Sequence, residues 1–101
     1  MEKLTNAQEK ELKRIIEYIN YGKQYNSVEE LYNSFRYTVK WEDLKEDWQQ
    51  IHIEDYERRL NNIALASGNS STLRALEKKR YIEIIKDGKE DYDIIKVLHF
   101  I

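Results

Sequence analysis

The chain is predicted to be mainly α with a C-terminal β-hairpin, an α+β protein, and three observations carry that reading. Apolar residues recur at helical spacing through the first two thirds of the chain. Two runs rich in β-branched and aromatic residues, YIEII and YDIIKVLHFI, follow near its end. Between those runs lies KDGKED, whose Asp-Gly pair accepts the positive φ of a tight hairpin turn. At 101 residues the chain reads as one domain, a helical front half over 1–66 followed by a helix and hairpin over 70–101.

The first helix begins at a capping box. Thr5 stands three residues before Gln8, so each side chain satisfies the other's orphan backbone donor. Leu12, Ile15, Ile16 and Ile19 then form one apolar stripe, and Gly22 is expected to end the helix. A second box, Ser27 with Glu30, opens a short helix over about 27–36, with Val28, Leu31, Tyr32 and Phe35 inward. A linker over 36–40 follows. One long helix is expected over 41–66, because Trp41, Leu44, Trp48 and Ile51 share a face and Tyr56, Leu60, Ile63 and Ala64 continue it. The step from Ile51 to Tyr56 is five residues, which predicts a kink or break near His52.

The run SGNSS closes that helix. Gly68 or Asn69 suits a left-handed C-cap, and Ser70 or Ser71 caps the next helix. In STLRALEKKR, Leu73 and Leu76 face inward, while Lys78, Lys79 and Arg80 place cations at the negative end of the helix dipole. The second strand sets Ile94, Lys96, Leu98 and Phe100 against Asp93, Ile95, Val97 and His99, so at least one sheet face is expected under the helices.

Composition excludes several function classes. No Cys is present, which removes disulfides, thiolate metal sites and a cysteine nucleophile, and accords with a reducing cytoplasm. No stretch approaches the roughly 20 apolar residues of a membrane span, so no membrane partner is expected. Nineteen acids against 17 bases give a net charge of -2, unlike a dedicated non-specific DNA binder. His52 and His99 are the only imidazoles, and HIED lacks the ligand number and spacing of a zinc site. Neither a glycine-rich phosphate loop nor a nucleophile elbow occurs. No enzyme activity, cofactor or metal is therefore expected.

Helix, tight turn, helix and hairpin is the order of a winged helix-turn-helix. Residues 60–101 resemble that family: a Ser-capped turn, then TLRALEKKRYI in the manner of a recognition helix entering its first wing strand. Many such regulators carry Gly before the aromatic-Ile pair, where this chain has Arg80. The chain also looks like small accessory proteins of Gram-positive phages and mobile elements, with a helical front half and an LEK-aromatic-IEII hairpin ending in IKVL. That resemblance implies a bacterial cytoplasm and either a transcriptional regulator or an inhibitor of host defence, such as an anti-CRISPR protein.

The two functions use different residues. DNA binding would place Ser71, Thr72, Arg74, Ala75, Lys78 and Lys79 towards the groove, with Arg74 the guanine contact and the lysines on phosphate. Arg74, Lys78, Lys79, Arg80 and Lys86 there face Glu77 and Glu83. At the hairpin tip, however, Asp87, Glu90 and Asp91 outnumber Lys89 and would be repelled by phosphate. Eight Tyr and two Trp exceed what a small core absorbs. Trp41, Trp48 and Tyr56 are expected in the core, and several of Tyr18, Tyr21, Tyr25, Tyr32 and Tyr37 at the surface.

Together these features predict a small binding protein that inhibits a nucleic-acid-handling host protein such as a CRISPR nuclease. Asp87, Glu90 and Asp91 would meet a basic surface, with Tyr21 and Tyr25 as anchors. The alternative is a winged-helix regulator acting on DNA as a dimer. The protein would be a monomer or homodimer.

Overall fold

A computed structural model describes residues 2–67, 70–86 and 92–101. Helix α1 (Asn6–Lys23) starts at the Thr5–Gln8 box, with both reciprocal bonds present at 3.2 and 3.1 Å. Its stripe of Leu12, Ile15, Ile16 and Ile19 is buried as its spacing requires. Helix α2 (Val28–Ser34) is capped by Ser27, but the Glu30 carboxylate accepts from the Asn26 amide, one residue before the N-cap. The chain then reverses through Arg36, held at φ 55 in the left-handed region.

The expected long helix is three elements. Trp41–Asp43 forms a single 3-10 turn, helix α3 covers Glu46–Leu60, and strand β1 covers Ile63–Ser67. No break occurs at His52, which sits inside the continuous α3. The interruption lies at Asn61 and Asn62, where Asn62 takes φ 62, a left-handed conformation that Asn tolerates well. The five-residue step has a different cause. Ile51 and Leu60 point outward, and the inward positions of α3 are His52, Asp55, Tyr56 and Arg59, themselves at i, i+3, i+4 and i+7.

Strand β1, helix α4 (Ser71–Lys78), strand β2 (Ile82–Lys86) and strand β3 (Tyr92–Val97) complete the fold. The expected two-stranded hairpin is a three-stranded antiparallel sheet of order β1-β3-β2. Ala64 pairs with Ile95 and Ile82 with Val97, with a bulge on β2 between Ile84 and Lys86. Glu77 of α4 reaches across to accept the Ile84 amide at 2.7 Å beside that bulge. Ala64, Ala66, Asp93, Ile95 and Val97 form the buried face beneath α1, with Leu73 and Leu76 of α4 sealing its end. The predicted helix, tight turn, helix order becomes helix, strand, helix, because β1 intervenes between α3 and α4. Among the described residues, no helix is long and apolar enough to cross a membrane.

Helices α1 and α3 are joined by a polar clasp. Arg59, 6 % exposed, donates to the Asp55 carboxylate at 3.0 Å and to the Tyr18 carbonyl at 3.1 Å. Its guanidinium lies over the Tyr18 ring at 3.7 Å, and the Tyr18 hydroxyl donates to Asp55. Gly22, expected to end α1, lies inside its last turn and leaves room for this side chain. A Cβ there would stand 2.3 Å from Arg59 Cδ and 3.3 Å from its Cβ.

Gly22→Ala should destabilise by about 1–3 kcal/mol in urea unfolding through overpacking, although Ala is favoured in helices by about 1 kcal/mol. In an Arg59→Ala background the loss should shrink, because the 2.3 Å approach to Cδ is gone and only the 3.3 Å approach to Cβ remains, and an undiminished loss would refute the steric account.

Burial, reinforced by the hydrogen bond to Asp55, pushes the Tyr18 phenol up to about 12. A group that holds its proton more tightly when folded contributes stability fully present below its unfolded pKa of 10.0 and lost as pH rises through about 12. The stability difference between wild type and Tyr18→Phe should be constant below that window and shrink across it. A flat difference would refute the assignment.

At the end of α4, the Tyr81 amide donates to Leu76 and the Arg80 amide to Glu77, at 3.0 and 2.9 Å, closing a Schellman motif with Arg80 at φ 67. The departure from glycine thus falls on a left-handed position. Arg80→Gly should raise stability by about 1 kcal/mol with an unchanged denaturant slope.

Candidate functional site

Two large apolar side chains near the start of α3 lie on the outside. Trp48 is 56 % and Ile51 52 % exposed, contrary to the core placement expected for the Trp41–Trp48 stripe. Opposite them runs the segment between α2 and the 3-10 turn, with Tyr37 53 % and Val39 46 % exposed. Between helix and segment lies a groove of about 450 Å3, floored by Tyr32 and His52 and lined by Thr38 and Leu44 as well as these four residues.

The far wall is braced. The buried Tyr32 hydroxyl donates to the Val39 carbonyl at 2.6 Å, and the Gln49 amide donates to the Trp41 carbonyl at 2.8 Å. Tyr32 packs against Tyr37, Trp41 and His52 with ring centroids 4.8, 5.4 and 5.0 Å apart. These contacts shape the groove without a ligand, so little ordering free energy opposes docking.

Tyr21 and Tyr25 are half-buried at the opposite end of the same aromatic network. Tyr21 contacts Phe35, and Phe35 contacts Tyr37, at 5.5 and 5.7 Å. The hydroxyls of Tyr21 and Ser34 are 2.8 Å apart, Tyr25 donates to Tyr21 at 3.3 Å, and Tyr56 donates to the Tyr25 carbonyl at 2.7 Å. The Tyr21 ring therefore joins α1 to α2, and the Tyr25 carbonyl ties the segment between those helices to α3. Asp87, Glu90 and Asp91 lie outside the described residues.

The residues considered for DNA divide into two groups. Ser71, Arg74 and Lys78 are exposed and fall at i, i+3 and i+7, one face of α4. Thr72 and Ala75 are half-buried. Lys79 is drawn back to α1, its ammonium donating to the Lys3 carbonyl at 2.9 Å and to Gln8 Oε1 at 2.7 Å. It thereby joins the capping box and ties α4 to the start of α1.

Val39, Leu44, Trp48 and Ile51 were not among the predicted site residues. Trp48 extends the stripe His52, Asp55, Tyr56 and Arg59 by one turn towards the start of α3 yet is 56 % exposed, so its spacing alone gave no sign of the groove. No protein-family model, curated protein or solved structure matches the chain.

Proposed function

We propose that this chain is a non-enzymatic docking module that inhibits a nucleic-acid-handling host protein by protein–protein contact, in the manner of an anti-CRISPR protein. The observation that carries the docking reading is the open apolar groove at Tyr37, Val39, Trp48 and Ile51. A contiguous apolar surface braced in place and left uncovered is the mark of an interaction site. Trp and Tyr are also the side chains that dominate interface energetics, because they combine large apolar area with few rotors.

The net negative charge and the resemblance to mobile-element accessory proteins support the choice of partner. A protein that accepts nucleic acid offers a basic surface, which attracts acidic side chains and speeds encounter. The second reading is a DNA-binding regulator, favoured by the shared exposed face of Ser71, Arg74 and Lys78. Against it, a strand precedes α4 where a helix-turn-helix has its first helix, and Lys79 is engaged within the fold.

Immobilised wild-type protein should retain a discrete set of proteins from nuclease-treated bacterial lysate, and Trp48→Ala/Ile51→Ala should lose them. Arg74→Glu/Lys78→Glu should retain them. Mobility shifts with random duplex should show no tight binding at any salt. Tight binding with a steep salt dependence, or retention that vanishes with nuclease and ignores the groove variant, would overturn the proposal in favour of DNA.

A further inference from the structure

We infer that the groove takes a basic amphipathic helix of the partner, its apolar side chains entering between Tyr37–Val39 and α3 and its lysines or arginines meeting an acidic rim. This rests on the docking reading above and specifies its ligand.

The rim supplies the charge argument. Asp47 and Glu54 lie four residues before and three after Ile51, so both flank it on the same side of α3. Glu42 and Asp43 adjoin Leu44 at the groove's end, and all four acids are exposed. Lys40 and Lys45 are the cations of this stretch. Among the described residues Glu42, Asp43, Asp47 and Glu54 have no ion-pair partner, whereas Asp55 is already neutralised by Arg59. An incoming cation therefore displaces no existing pair.

The backbone favours a helix as occupant. The wall's Val39 and Trp41 carbonyls already accept the Tyr32 hydroxyl and the Gln49 amide. An extended segment would add few main-chain bonds, whereas a helix satisfies its own backbone and needs only side-chain pockets along one face. A second copy of this chain fits poorly. Twofold pairing through the groove would bring the two acidic rims face to face.

The test uses two synthetic peptides of ~18 residues, about the length of a five-turn helix. Both carry Leu at i, i+3, i+4 and i+7, one with Lys and the other with Glu flanking that stripe. By calorimetry at low salt the Lys peptide should bind roughly tenfold or more tightly than the Glu peptide, an advantage that declines as salt screens the rim. Trp48→Ala should abolish binding. Because Trp48 is half exposed, that variant should keep the wild-type unfolding midpoint. Asp47→Lys/Glu54→Lys should reverse the preference between peptides.

Equal binding of the two peptides, or Lys-peptide binding untouched by Trp48→Ala, would overturn the inference. So would sedimentation showing a dimer that Trp48→Ala dissociates. If the Lys peptide fails while the groove variant still loses its lysate proteins, the occupant is wrong and the docking function stands. If both fail, the docking function falls as well.

Discussion

Arg59 occupies the space that an aliphatic side chain would fill between two packed helices. A guanidinium removed from water is expensive unless its charge and donors are met, and here a carboxylate, a main-chain carbonyl and the face of a phenol ring meet them together. Gly22 makes the approach possible, since any side chain there would overlap the arginine stem. Lys23, at the same end of α1, donates to the Asn62 side chain, so the chain is held where α3 gives way to β1. These contacts hold α3 against α1 from Asp55 to the start of β1.

The consequence for function is a helix whose inward residues are largely polar and whose large apolar residues near its start stay exposed. An ordinary surface helix buries its apolar stripe and shows its charges. In α3 the polar and aromatic stripe His52, Asp55, Tyr56 and Arg59 is turned inward, and Trp48, Ile51 and Leu60 are left outside. An apolar groove with an acidic edge is therefore no accident of composition.

The C-terminal half is organised by a different economy of contacts. Leu73 and Leu76 seal the core, Glu77 bonds β2 beside its bulge, and Lys79 reaches α1. Three consecutive roles of α4 are thus internal, which leaves Ser71, Arg74 and Lys78 as its outward face. The module that most resembles a DNA-reading element is engaged largely in holding its own fold together, while the helical front half presents the open surface.

Local rules sufficed for much of this structure. The Thr5–Gln8 box, the α1 stripe, the Ser70 cap with Leu73 and Leu76 inward, and the strands at 82–86 and 92–97 are all legible in the sequence, because each depends on neighbours within a few residues. Ile63–Ser67 was not. Its Ala, Leu and Ala favour a helix, yet pairing with β3 and the small buried face of Ala64 and Ala66 under α1 make it a strand, through partners about thirty residues away. The groove was equally hidden, since Trp48 has the helical spacing of the inward residues His52, Asp55 and Arg59 and only tertiary contacts leave it exposed. Helix N-caps and apolar periodicity were fixed by the order of residues, whereas the exposure of Trp48 and the third strand were decided by tertiary contacts that no local window contains.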